Sequence, residues 1–182
     1  MKKLMKTVLL GAVMLEAVSL MAAEFRIDLQ VDKNACGLAA DGVSEGVRMA
    51  KADWMKENAD RRLVIAGKSG EKWAEKWVQF IPAEDCRVTV QLMSPSPKVY
   101  AAFDHIRIKG ASVQNGSFEQ LDPKGNPQGW WVGMGKYTLK KTDAADGKNY
   151  VEVTHNDRVS QMIKCKKGQP VKITFMVRDV KR

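Results

Sequence analysis

Histidine is nearly missing from this 182-residue chain. His105 and His155 stand alone, so no closely spaced pair of imidazoles marks a zinc hydrolase. Cys36, Cys86 and Cys165 are too few and too far apart for a disulfide framework or a zinc site. In an oxidising compartment either one pair bridges and leaves the third free, or all three stay buried thiols. A Gly-x-Ser-x-Gly nucleophile elbow is absent. Ala66-Gly-Lys-Ser69 imitates the end of a phosphate-binding loop, but Arg62 stands where its first glycine must be. These absences remove the best-marked enzyme classes, and the expectation is a protein without catalytic machinery. A carboxylate pair leaves no such mark, because two carboxylates need only meet in space.

The N-terminus carries an address. Lys2, Lys3 and Lys6 give a positive start, Val8 to Met14 an apolar stretch, and Met21-Ala22-Ala23 a small-residue exit. Residues 1–23 therefore read as a secretory signal peptide, with the mature chain starting near Glu24. Glu16 and the bulk of Met21 depart from that pattern, and an ordinary N-terminal helix is the other reading. The charge-free run is shorter than the roughly 20 residues of a membrane span, so stable membrane insertion is not expected. The expected location is the periplasm or the exterior of a bacterial cell.

The chain carries 30 basic and 21 acidic residues, net +9; without the three lysines and one glutamate of residues 1–23 it keeps +7. The cations are dispersed among acids, and Lys164-Cys-Lys-Lys167 is the only dense patch, so no nucleic-acid partner is expected. Acidic glycans and anionic surfaces suit the same charge. Residues 24–182 have the length of one domain with a full core.

After residue 85 the apolar residues recur every second position. Val88, Val90 and Leu92 alternate with polar neighbours, and Val99 to Ile108 continues through Ile106 and Ile108. Tyr150 to Thr154 and Val159 to Ile163 alternate again, and Val171, Ile173, Phe175 and Val177 form the clearest stripe. Turn residues separate the runs at Ser94–Pro97, Asn115-Gly116, Asp122–Pro127, Asp146-Gly147 and Lys167-Gly168. This is an all-β pattern of a sandwich or barrel. Between 45 and 80 the period is ambiguous: Glu45 to Asn58 fits an amphipathic helix, yet Val47, Met49 and Arg61 to Ala66 also fit strands.

Asn115-Gly-Ser-Phe-Glu119, then Pro127-Gln-Gly-Trp130, Gly147-Lys-Asn-Tyr-Val-Glu-Val153, Val159-Ser-Gln-Met-Ile163 and Val171 to Arg178, resemble the first half of a jelly-roll carbohydrate-binding module of the galactose-binding-like superfamily. Trp77-Val-Gln-Phe-Ile-Pro82, Arg87 to Leu92 and Phe103-Asp-His-Ile-Arg-Ile108 resemble the second half, which here lies upstream. The resemblance implies a jelly-roll β-sandwich of two antiparallel sheets. Either residues 24–182 form one circularly permuted domain, or two tandem modules are each cut short; a half sandwich has too little core to stand alone, which favours the permutation. Phe25–Val31 and Val171–Arg178 both match one family strand and are expected to pair at a sheet edge.

The resemblance also implies a structural calcium ion between Glu119 and Asp104, with the Ser117 carbonyl, Asp146 and Asn149 as further ligands. The alternative is that Glu119 caps a turn and Asp104 pairs with a lysine. It implies a glycan or cell-surface polysaccharide as partner, bound by aromatic faces, because sugar C–H faces are apolar while their edges hydrogen-bond. Trp77, Trp130 and Tyr150 read as core. Successive strand residues point to opposite faces, so one of Trp130 and Trp131 is exposed or covered by a loop. Trp54, Trp131 and Tyr137 are the candidate binding residues. The other functional classes are a structural or protein-interaction sandwich without a sugar, and a small secreted glycoside hydrolase. Asn115-Gly-Ser117 also fits a glycosylation acceptor, although the family turn explains it more simply.

Overall fold

The computed structural model describes residues 24–32, 36–52, 61–132 and 138–181. Alternating apolar residues need two buried faces, and the described residues supply them as two antiparallel six-stranded sheets without helices. Sheet I runs β3 (Val47–Lys51), β4 (Arg62–Gly67), β1 (Phe25–Val31), β6 (Cys86–Met93), β11 (Val159–Cys165), β8 (Trp131–Val132). Sheet II runs β2 (Leu38–Val43), β5 (Ala74–Pro82), β12 (Val171–Val180), β7 (Tyr100–Lys109), β10 (Tyr150–Val153), β9 (Thr138–Lys140). The fold is an all-β sandwich. Strands of both matched segments interleave in both sheets: β6 pairs with β11, and β12 lies between β5 and β7. Among the described residues no helix is long and apolar enough to cross a membrane.

Burial follows the period-two pattern. Ile27 and Leu29 of β1, Val88, Val90 and Leu92 of β6, and Ile173 and Phe175 of β12 are sealed in the interior. At about 25 cal/mol per Å² of apolar surface, burying such a side chain contributes roughly 1.5–3 kcal/mol. The ambiguous stretch resolves as strands where it is described: Val47–Lys51 and Arg62–Gly67 pair with each other. β1 and β12 do not pair at an edge. Each has a partner strand on both sides, in different sheets, and they meet across the core, Phe25 against Phe175 with ring centroids 5.7 Å apart.

One irregularity in β7 shapes the loops above it. Thr174 opposes Arg107 and Met176 opposes Asp104, so His105 and Ile106 stand against Phe175 alone. This β-bulge holds His105 at φ 49°, a conformation that histidine tolerates better than most residues. It moves the inward stripe from Phe103 to Ile106 and leaves Asp104 facing outward. The Ile106 amide donates to the Gly116 carbonyl at 2.8 Å. A Cβ on residue 116 would lie 2.0 Å from the Ile106 carbonyl oxygen, so glycine at 116 is required by a close backbone approach. Asn115 itself bonds Gln120 and Gln128, through Nδ2 at 2.7 and 3.0 Å. Its side chain is thus engaged in holding the turn.

Candidate functional site

The Trp130–Trp131 pair splits between the two faces of its segment, as the alternation requires. Trp130 is buried, donates from Nε1 to the Asn115 carbonyl at 3.0 Å and packs on Phe118. Trp131 is 59% exposed on the outer face of sheet I, and Met162 beside it is 51% exposed. These two are the exposed large hydrophobic side chains among the described residues. The strand registers carry this edge into a polar row: Trp131 opposes Ser160, Ser160 opposes Gln91, and Gln91 opposes Asp28. The next row runs Met162, Thr89, Gln30, Arg62. Side chains opposite each other in antiparallel strands share a face about 4.5–5.5 Å apart. Ser160 and Asp28 of these rows are buried, and Gln91 and Thr89 are the half-buried polar groups on the same face as the indole. Trp54 and Tyr137 lie outside the described residues.

Of the five residues expected around calcium, Asp104 and Glu119 bond the loop before β10, which carries Asp146 and Asn149. Asp104 is fully buried. Its Oδ1 accepts the His105 amide at 2.6 Å, and its Oδ2 accepts the amides of Ala145 and Asp146 at 2.8 and 2.9 Å. Glu119 Oε1 accepts the amides of Lys148 and Asn149 at 2.7 Å each, and Oε2 the Asn149 side-chain amide at 3.2 Å. Asp146 turns its own carboxylate to His105 Nδ1 at 2.7 Å. Ser117 is half-buried in the Asn-Gly turn. Gly147, at φ 69°, has room only for hydrogen, since a Cβ would lie 2.6 Å from Glu119 Oε1.

In this structure the carboxylates are held by the loop's own N–H groups. Calcium takes six to eight oxygens, whereas the carboxylate oxygens of Asp104 and Glu119 face the positive ends of N–H bonds. Among the described residues no three His, Cys, Asp or Glu side chains converge as a metal-holding group. Asp104 accepts the amides of residues 145 and 146 and Glu119 those of 148 and 149, so one loop links the two carboxylates. Glu119 thus organises a loop, close to the turn-capping alternative, while Asp104 holds amides rather than a lysine.

Burial raises the Asp104 carboxyl from 3.8 to about 6, against the backbone N–H donors that lower it. A carboxyl whose folded value lies above its unfolded one stabilises the fold fully below the unfolded value, and that contribution is lost as pH rises through the folded value. The stability difference between the protein and Asp104→Asn, measured by denaturant unfolding, is expected to be about 2 kcal/mol larger near pH 4.5 than near pH 7.5. A difference constant over that range would show that Asp104 does not titrate there.

A third cluster escaped the sequence reading. On the outer face of sheet II, Trp73 and Tyr150 meet edge to face at 5.3 Å, and the Arg178 guanidinium lies 4.7 and 5.0 Å from their ring centroids. Arg178 donates to Asp143 Oδ2 at 2.5 Å and to the Tyr150 hydroxyl at 2.8 Å, and that hydroxyl donates to Glu152 at 3.2 Å. Tyr150 is buried here rather than in the core. Trp77 is half-buried on the same sheet face, under the Lys172 ammonium at 4.1 Å. The signal was available: with Val151 and Val153 inward, Tyr150 and Glu152 must point outward. Cation–π and ion-pair contacts lock this face internally, which leaves the Trp131 edge of sheet I as the more open aromatic surface. No family model, no curated protein and no solved structure matches this chain.

Proposed function

We propose that this protein is a non-catalytic binding module that holds a glycan or cell-surface polysaccharide through the outer face of sheet I, at Trp131 and the polar row beside it. The observation that carries the reading is the exposure of Trp131 on the same sheet face as the half-buried Gln91 and Thr89. An indole with more than half its surface in water supplies the stacking face that a pyranose needs. The interleaving of both segments in one sandwich supports reading the chain as a permuted carbohydrate-binding module. The same reading places the protein outside the cytoplasm, where such polymers are met. Fold alone does not establish a ligand, so the proposal rests on the surface.

Affinity electrophoresis through polysaccharide gels and a glycan array test it. The protein is expected to be retarded by at least one polysaccharide, and Trp131→Ala to weaken that binding about tenfold or more, the loss of one stacking contact of order 1–2 kcal/mol. Its melting temperature should stay within about 1–2 °C of the parent, because an exposed side chain contributes little to folding. Absence of retardation by every polymer of a broad panel would overturn the reading.

Met162 favours a second reading. A flexible thioether beside an exposed tryptophan suits a protein surface better than a sugar. In that case Met162→Ala weakens the interaction as much as Trp131→Ala does, and no glycan binds. The small secreted glycoside hydrolase is a lesser alternative, and hydrolysis of a bound polymer would revive it.

A further inference from the structure

The three thiols, scattered in sequence, meet at one end of the sandwich. Cys36 precedes β2 of sheet II, Cys86 opens β6 of sheet I, and Cys165 closes β11 directly opposite Cys86 in register. All three line an open cleft of about 450 Å³ with Arg87, Lys164 and Lys166. The Cys36 Sγ lies 3.0 Å from the Cys86 Sγ. It also touches the carbonyls of Gly37 and Glu84 at 3.4 Å. A disulfide needs its sulfurs at about 2.05 Å, so a relative movement of about 1 Å closes this pair. Directly opposed strand residues fall within the Cα separation that a disulfide tolerates, which puts Cys165 within reach of the same Cys86 sulfur.

We propose that Cys36 and Cys86 form a disulfide that staples sheet II to sheet I, and that Cys165 is a resident thiol able to exchange into it at Cys86. The oxidant is a small-molecule or protein disulfide. The Cys86 thiolate attacks one sulfur of the oxidant, forms a mixed disulfide and releases the first thiolate. The Cys36 thiolate then attacks Cys86 and releases the second. Two protein thiols are oxidised, one disulfide is reduced to two thiols, and the two protons lost by the cysteines are taken up by the departing thiolates. Cys86 is the half-buried member of the pair and Cys36 the buried one, so the oxidant meets Cys86 first.

Burial pushes Cys86 well above the usual thiol range and Cys165 up to about 11. Few thiolates are therefore present at neutral pH, and closure should accelerate as pH rises.

The test incubates the folded full-length chain with oxidised glutathione, blocks remaining thiols and maps the peptides by mass spectrometry. The expected product carries one Cys36–Cys86 link and one blocked thiol at Cys165, against three blocked thiols after reduction. Three blocked thiols after oxidation, or a Cys86–Cys165 link as the main product, would overturn the pairing. In Cys36→Ala the same treatment should give a Cys86–Cys165 link. Two free thiols in that variant would overturn the exchange role, and the unmodified chain tests the pairing even if the variant fails to fold.

Discussion

Phe175→Ala is expected to lower folding stability by about 3–5 kcal/mol, measured as a shift of the urea or guanidinium unfolding midpoint. Phe175 is fully buried. It lies 5.7 Å from the Phe25 ring and 5.9 Å from the Phe103 ring, which are 6.2 Å from each other. The three rings join β1 of one sheet to β7 and β12 of the other, so the cavity opens where the sheets face each other. Strands on both sides are fixed by their ladders and cannot collapse into it, which places the cost high in the range. Total stability of a domain is about 5–15 kcal/mol, so the variant should be marginal at room temperature. Phe175→Leu fills most of the space and should cost under half as much. Equal losses for both variants would show that the ring's shape, and not its volume, is what the core requires.

Asp28→Ala should cost a similar amount, about 3–5 kcal/mol, for an electrostatic reason. Asp28 sits on the outer face of the central strand β1 and is fully buried, while Arg26 and Arg62 retain only 14% and 17% exposure. Arg26 holds the carboxylate with two bonds, at 2.7 and 3.0 Å, and Arg62 adds a third contact. Removing the carboxylate leaves two guanidinium groups crowded together in a poorly hydrated place. A surface pair would contribute at most about 1 kcal/mol and weaken with salt. Here the loss should barely change between low and 0.5 M salt, a range over which exposed pairs are screened. A loss below about 1 kcal/mol, or one that vanishes in salt, would show that this triad is solvated after all.

Much of the sandwich was legible along the chain because strand burial has a period of two that neighbouring residues reveal. The stripes of β6, β11 and β12 and the turns at Asn115-Gly116 and Asp146-Gly147 could be placed from residue type alone. The opposite faces of Trp130 and Trp131 followed from the same rule. Sheet membership was less legible. β1 and β12 have similar alternating patterns, yet they occupy different sheets, because pairing depends on distant partners that no local pattern names. The bulge at His105 left only the change of parity between Phe103 and Ile106 as its trace.

For the candidate site the sequence supplied residue types and the tertiary structure supplied their company. Asp104, Glu119, Asp146 and Asn149 were grouped by a resemblance that gave them a cation. The folded chain sets loop amides on both carboxylates, an arrangement fixed by backbone direction, which side-chain identity does not encode. Trp73, Tyr150 and Arg178, far apart in the chain, became one cluster only when β5, β10 and β12 entered the same sheet. By itself the sequence determined an all-β chain with few marked catalytic groups, since periodicity and motif absence are local properties. Which tryptophan is exposed, and which two of three cysteines touch, were decided only by strand register and sheet packing, because those contacts join residues that the sequence keeps apart.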